Sequence, residues 1–395
     1  MAVAATGIGA GDMVAATVAG AHYGVAILWV ALLGALFKYT LNEGIARWQL
    51  ATGTSILEGW IHRLGRWAGF YFGAYLVLWS FVVGGALMAA CGLAGQALFG
   101  GLPVAGWGAI HALAALLLVW IGRYALFERL MKVFIAALFL VILWSAAMVR
   151  PELSTLVKGV VVPAIPEGSV PLLLGVMGGV GGSVTLLSYG YWIREKGWIT
   201  AGHQNTTRLD LGAAYVLTGL FAIAVIIIAA GTDPQQIAGS QIIVEVAERL
   251  EAVVGSIGKW AFLAGFWAAV FSSMLGVWQG VPYIFSDFIT SYRSRDSGKP
   301  AEAIHTNSVL YRGYLIYLAI VPMALLLVNN PVWVVVAYAV VGALFMPFLA
   351  ATLLVMNNRR DWMGTLKSGR LINVLLAAAL ALFIYLAAAE LVRLA

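Results

Sequence analysis

Two stretches of this chain combine dense glycine with polar side chains in otherwise apolar surroundings. The first reads Thr6-Gly7-Ile8-Gly9-Ala10-Gly11-Asp12, and the second Gly175-Val176-Met177-Gly178-Gly179-Val180-Gly181-Gly182-Ser183. An interior glycine costs a helix roughly 1 kcal/mol relative to alanine, so runs this dense predict interruptions. Close packing between membrane helices favours small residues at i, i+4, and Gly178 and Gly182 fit that alternative. Gly7, Gly9 and Gly11 alternate instead, which suits unwound backbone. Unwound carbonyls can coordinate a cation, and half-helix ends add partial charges. Asp12 lies beside the first run, and a carboxylate inside an apolar span is a functional candidate. Its other reading is an N-cap for the second half of the first span; the two roles are compatible.

Further polar residues interrupt apolar runs. Glu43 and Asp210 fall toward span ends, where they can carry protons or pair with Arg47 or Arg208. Lys38 lies mid-span and must meet an acid or snorkel to the surface. Gln279 and Tyr283 can line a permeation path or bond neighbouring helices, and Gln96 shares that ambiguity. No His/Cys spacing matches a zinc site, and neither HExxH, GxSxG nor a two-carboxylate pair is present, so an enzyme is not expected. No cofactor is expected either.

The elements that must position these residues follow from composition. Of 395 residues, 62% are hydrophobic and 10% charged, against roughly 25% charged in soluble domains. Spans are predicted at 2–20, 24–49, 67–98, 105–122, 128–148, 170–192, 208–230, 257–288, 308–328, 332–356 and 371–392. Most of the 23 Lys and Arg, including Arg63, Arg66, Arg194, Arg208, Arg359 and Arg360, fall on one side of this arrangement. That side is expected to be cytoplasmic, with the N-terminus inside and the C-terminus outside. Basic charge here reports topology, so a lipid bilayer and not nucleic acid is the expected partner, and no obligatory protein partner is evident. The N-terminus lacks a basic n-region and does not read as a cleaved signal. Only six residues precede Gly7, whereas half a bilayer needs about ten, so a truncated or vestigial first half-helix is expected. The loop 231–256 places Ile242, Ile243, Val246, Ala247 and Leu250 at helical spacing, predicting a short surface helix. His305 in the polar loop 291–308 has no expected chemistry, and Cys91 reads as a small core residue.

The glycine-interrupted spans, first and sixth, hold matching positions in two five-helix halves, which points to a transporter built on inverted repeats. The chain also resembles the Nramp family of divalent-metal transporters. AGAHYG at 19–24, ILWVALLGALFKYTLNEGIARWQLATG at 27–53, LAGFWAAVFSSMLGVWQG at 263–280 and MPFLAATLLVMNNR at 346–359 carry the resemblance in order. It implies an all-α polytopic membrane protein of about 11 helices, with two inverted five-helix repeats of the leucine-transporter type and broken helices 1 and 6. The repeats would occupy 1–148 and 170–356, with an extra helix at 371–392, in a bacterial inner membrane.

Both family signatures are altered. Where the first span normally carries Asp-Pro-Gly-Asn, this chain has Gly9, Ala10, Gly11 and Asp12, so the carboxylate moves to the Asn position. Where the sixth carries Met-Pro-His, it has Gly182, Ser183 and Val184. Loss of the thioether leaves oxygen donors: Asp12, carbonyls around Gly9 and Gly179, and the hydroxyls of Ser183 and Thr185. Such donors suit Mg²⁺, Ca²⁺ or Mn²⁺. Loss of the histidine predicts weak proton coupling. The leading expectation is a secondary transporter of a hard divalent cation; the alternatives are a carrier of a small organic cation or amine, and a non-transporting scaffold or sensor.

Overall fold

The computed structural model describes residues 10–122, 125–149, 151–179, 183–232, 242–297, 304–328 and 330–394. These are helices joined by short linkers, and no strand occurs among them. In chain order the helices used below are α1 (Ala10–Tyr23), α2 (Leu28–Thr52), α3 (Arg66–Phe99), α4 (Val104–Ile121), α5 (Ala125–Val149), α6 (Leu153–Val161) and α7 (Val170–Gly179). They continue with α8 (Ser188–Glu195), α9 (Gln204–Ala229), α10 (Ile242–Val254), α11 (Ser256–Ser297), α12 (Val309–Ile320), α13 (Pro331–Ala343), α14 (Phe345–Met356) and α15 (Arg370–Leu394).

Ten stretches of the described chain are long and apolar enough to cross a membrane, against eleven spans expected. The difference lies at Met13–Thr52, which counts as one stretch of 40 residues. As a continuous helix that length would run about 60 Å, twice a hydrocarbon core. A 3₁₀ turn at Gly24–Ile27, with Gly24 at φ +61°, divides it into α1 and α2. Glycine takes that positive φ without steric penalty. α2 is therefore the predicted second span, and the 14 residues of α1 are the described part of the predicted first, of which residues 2–9 lie outside the described residues.

Burial sorts the helices into an inner and an outer set. Windows of α3 and of the α7–α8 stretch are mostly buried, whereas only a third or less of those of α4, α5, α12 and α15 is buried. The exposed surface is apolar: Leu117 is 60%, Leu140 67% and Leu371 71% accessible. That surface fits hydrocarbon rather than water. Inner helices pair in a pattern that survives exchange of the two halves: α1 packs on α7, α2 on α9 and α3 on α11. The α3–α13 contact is likewise matched by α11–α5, and α3–α4 by α11–α12.

Two amphipathic helices lie between the spans. α10 is the surface helix predicted from the 231–256 loop, with Ile243, Val246, Ala247 and Leu250 turned inward and buried. α6 was not foreseen. It seats Gly159 against the Val25 carbonyl at the α1–α2 turn, and Trp29 Nε1 donates to Ala164 O at 3.0 Å. Cys91 is fully buried, as a core residue. His111 is bonded at both nitrogens, at 2.7 Å to Trp107 O and 2.8 Å from Trp267 Nε1, which leaves it no capacity for a ligand.

Close helix approach relies on small residues without Cβ. On α4, a Cβ added to Gly108 would lie 2.6 Å from the Met88 carbonyl oxygen, whereas one on Gly313 of α12 would meet nothing. Gly108→Ala should lower the melting temperature in detergent, at a cost of about 1–3 kcal/mol for overpacking. Gly313→Ala should leave it unchanged or raise it, by up to about 1 kcal/mol of helix propensity.

Candidate functional site

The sixth span is interrupted at the glycine run. α7 ends at Gly179, and Ser183 has φ −130° and ψ −98°, outside any helix. The chain resumes as a 3₁₀ turn, Val184–Leu187, before α8. Neighbouring helices crowd this point. On α2, Gly34 faces Met177, and one turn later Lys38 donates from Nζ to Gly178 O at 2.6 Å. Gly178 itself lies so close to α13 that a Cβ would collide with the Ala339 carbonyl. On α3, Trp79 donates its indole N–H to Ser183 Oγ at 2.9 Å, and Tyr75 bonds Val341 O at 2.7 Å. A Cβ on Gly342 would stand 2.9 Å from Ser183 Cβ. The break thus sits at a seam of α2, α3 and α13.

A second polar assembly occupies the ends of α2, α8, α9 and α11. Glu43, 2% exposed, accepts from Arg47 Nη2 at 2.5 Å and Nε at 3.2 Å, and from Arg208 Nε at 2.9 Å. Arg47 extends this to the Leu366 and Lys367 carbonyls, both at 3.2 Å. Asp210 accepts from Tyr189 at 3.2 Å and stands 3.6 Å from Lys196. Arg194 of α8 reaches Gly53 O at 2.7 Å. Along α11, Gln279, Tyr283 and Asp287 follow at i, i+4 and i+8 on one face. Gln279 is exposed, Tyr283 packs its ring 4.8 Å from Tyr191, and Asp287 is buried. Asp287 accepts from Tyr191 at 2.6 Å, Ser55 at 2.8 Å and Ser291 at 3.4 Å. Nearby, burial and then the Asp287 charge hold the Glu58 carboxyl above its usual range, against Arg194 and a Ser55 backbone bond.

The architecture and the break can be set beside known proteins. The family model for natural resistance-associated macrophage protein-like (Nramp) proteins matches residues 1–393. This chain belongs to the Nramp family. No curated protein matches it. Among solved structures, a variant of the Eremococcus coleocola manganese transporter superposes with TM-score 0.74 at 16% identity, covering 97% of this chain and 83% of that one. MhsT in complex with L-phenylalanine gives 0.60 at 16% identity, over 97% and 96%. A nucleobase-cation-symport-1 family transporter, in a closed conformation with bromovinylhydantoin bound, gives 0.50 at 15%, over 97% and 91%. At these identities the likeness is one of fold, the leucine-transporter-like fold.

Against this Nramp frame the expected site residues fall into three groups. Gly179 and Ser183 flank the break, both buried, and Thr185 is half-buried in the 3₁₀ turn after it. Gly9 lies outside the described residues. Asp12 has helical backbone inside α1, so the N-cap reading does not hold, since a cap residue is non-helical. Glu43, past the middle of α2, pairs with both Arg47 and Arg208, and Asp210, in the second turn of α9, stands beside Lys196. Among the described residues no three His, Cys, Asp or Glu cluster as a metal site.

Two residues went unread, Trp79 and Asp287, as did the bond from Lys38 to Gly178. The Gln279-x₃-Tyr283-x₃-Asp287 spacing was the available signal for the last. Glu43→Ala should destabilise the protein by about 3 kcal/mol, because it strands a buried guanidinium; Arg208→Ala, at a position 37% exposed, should cost under about 1 kcal/mol. Glu58 titrates above its unfolded value, so its ionisation opposes folding, and that cost grows as pH rises past the unfolded value. Glu58→Gln should therefore raise the melting temperature at neutral pH and have little effect near pH 4.

Proposed function

We propose that this chain moves a divalent metal ion, a hard one such as Mn²⁺ or Mg²⁺, across the membrane by alternating access. The observation that carries the reading is a helix break placed at the crossing of α2, α3, α7 and α13 in a chain matched from end to end by the Nramp family model. The related manganese transporter supports Mn²⁺ as cargo. Donors at the break would be the Gly179 carbonyl, the Ser183 and Thr185 hydroxyls, the carbonyl of Gly9 and the Asp12 carboxylate, all of them oxygen. Met177, whose sulfur would favour softer ions, is buried against Gly34 of α2.

The halves 1–148 and 170–356 would act as the two inverted repeats, with 371–392 appended, as the helix pairings support. Gln279 and Tyr283 would line the route past α8. Glu43 and Asp210 serve here as ion-pair partners that open and close with the inner helix ends. Placement in a bacterial inner membrane, N-terminus inside and C-terminus outside, follows the distribution of basic residues. No cofactor, catalytic group or obligatory protein partner enters the scheme.

Isothermal titration of the purified protein with Mn²⁺, Mg²⁺, Ca²⁺ and Cd²⁺ tests the reading. Mn²⁺ or Mg²⁺ should bind, and Asp12→Ala should abolish binding while leaving the fold intact. In liposomes, uptake should follow the metal gradient with little dependence on pH, since Val184 stands where the family has histidine. Absence of binding by every ion would refute a metal cargo, and uptake driven by an inward proton current would refute uncoupled movement.

A further inference from the structure

α2 and α9 pack side by side, and their shared outer face is hollowed into a groove of ≈ 360 Å³. Leu32, Leu36, Val216 and Leu220 line it and are 38% to 61% exposed, an apolar surface that suits hydrocarbon. Two glycines of α9 also line it. Packing explains Gly219, where a Cβ would stand 3.1 Å from Ala35 Cβ. Gly212 is different: among the described residues a Cβ there would meet only Tyr39, at 4.0 Å. A helix-interior glycine that no neighbour requires forgoes helix propensity, and its effect here is to keep the groove open. On α9 the lining runs from Gly212 to Ile223, about 16 Å of helix against a hydrocarbon core of about 30 Å. The hollow therefore has the depth of one leaflet, which matches an acyl chain and not a spanning helix.

The end of the groove is charged. Arg208 lies one turn beyond Gly212 on α9, and Glu43 one turn beyond Tyr39 on α2. The Glu43 carboxylate is shared by two guanidiniums, those of Arg47 and Arg208, so this end keeps one net positive charge. The other acid of α9, Asp210, stands 3.6 Å from a base of its own, Lys196. Arg208 donates Nε to Glu43 at 2.9 Å, and its side chain is 37% exposed. A guanidinium carries five N–H donors in a fork that matches phosphate. We propose that the groove is the site of an anionic glycerophospholipid, with one acyl chain between α2 and α9 and its phosphate on Arg208. A zwitterionic lipid would fill the same hollow but gain less from the uncompensated charge. The site is independent of the cargo at the helix break.

Native mass spectrometry of the purified protein in detergent tests this, with titration of phosphatidylglycerol or phosphatidylcholine of identical chains and thermal melts as the check on folding. Wild type should bind the first phosphatidylglycerol at least about fivefold more tightly than phosphatidylcholine, the gain from one basic residue at a headgroup. Arg208→Gln should bring the two lipids within about twofold of each other. Arg360→Gln, at an exposed position outside α2 and α9, should keep the preference. Gly212→Leu fills the groove and should weaken the first phosphatidylglycerol at least about tenfold; Val216→Trp does so if Gly212→Leu fails to fold. Equal affinity for both lipids in wild type overturns the proposal, as does a preference that survives Arg208→Gln. Loss of the preference in Arg360→Gln as well would mark diffuse surface charge and overturn it too. Undiminished binding in the groove-filling variants removes the lipid from this groove.

Discussion

A main-chain carbonyl or amide without a partner costs several kcal/mol in hydrocarbon, and the sixth span surrenders its own helical bonds at mid-length. Much around the break answers that constraint. Lys38 crosses from α2 to a terminal carbonyl of α7, and Trp79 crosses from α3 to Ser183. α13 lies against both sides of the gap, close enough that Gly178 and Gly342 admit no side chain. Irregular backbone at this depth is tolerated because protein, not lipid, surrounds it.

The same constraint explains how charge is distributed. Among the described residues the buried carboxylates are bonded: Glu43 with Arg47 and Arg208, and Asp287 with three hydroxyl donors. These sets join helix ends that belong to different parts of the fold, α2 to α9 and to the segment before α15, and α8 to α11. Arg194 adds a tie from α8 to Gly53. Any movement that opens this end must exchange those bonds for water, which is cheap at a half-exposed guanidinium and expensive at a buried carboxylate. At the other end, α6 and Trp29 clasp the α1–α2 turn without an ion pair among these contacts, a weaker fastening.

Fold and site diverge at different rates for a physical reason. A bundle needs apolar volume, small residues at crossings and helices of bilayer length, and many sequences supply these. At 16% identity the bundle still superposes over 97% of the chain on a manganese transporter. A cation site depends on a few atoms at fixed places. By the resemblance, Gly9 and Asp12 would stand where the family has Asp and Asn and Gly182 where it has Met, and Lys38 bonds the Gly178 carbonyl. Preserved scaffold with altered donors is the combination that makes affinity, not topology, the informative quantity.

Composition and periodicity were enough to read the all-helical membrane class, nearly every span and the α10 surface helix, because hydropathy and helical period are local properties that survive in any fold. The glycine run marked the break in the sixth span for the same reason: a chain cannot hide five glycines in eight positions. Partners across the bundle were not legible. Nothing near Lys38 in the chain names Gly178, 140 residues away, and Tyr191 is 96 residues from Asp287. The short amphipathic helix α6 was lost between two strong spans. Local chemistry determined which helices form and where one must fail; tertiary structure alone decided which buried charge meets the Gly178 carbonyl, because that choice is set by how helices cross.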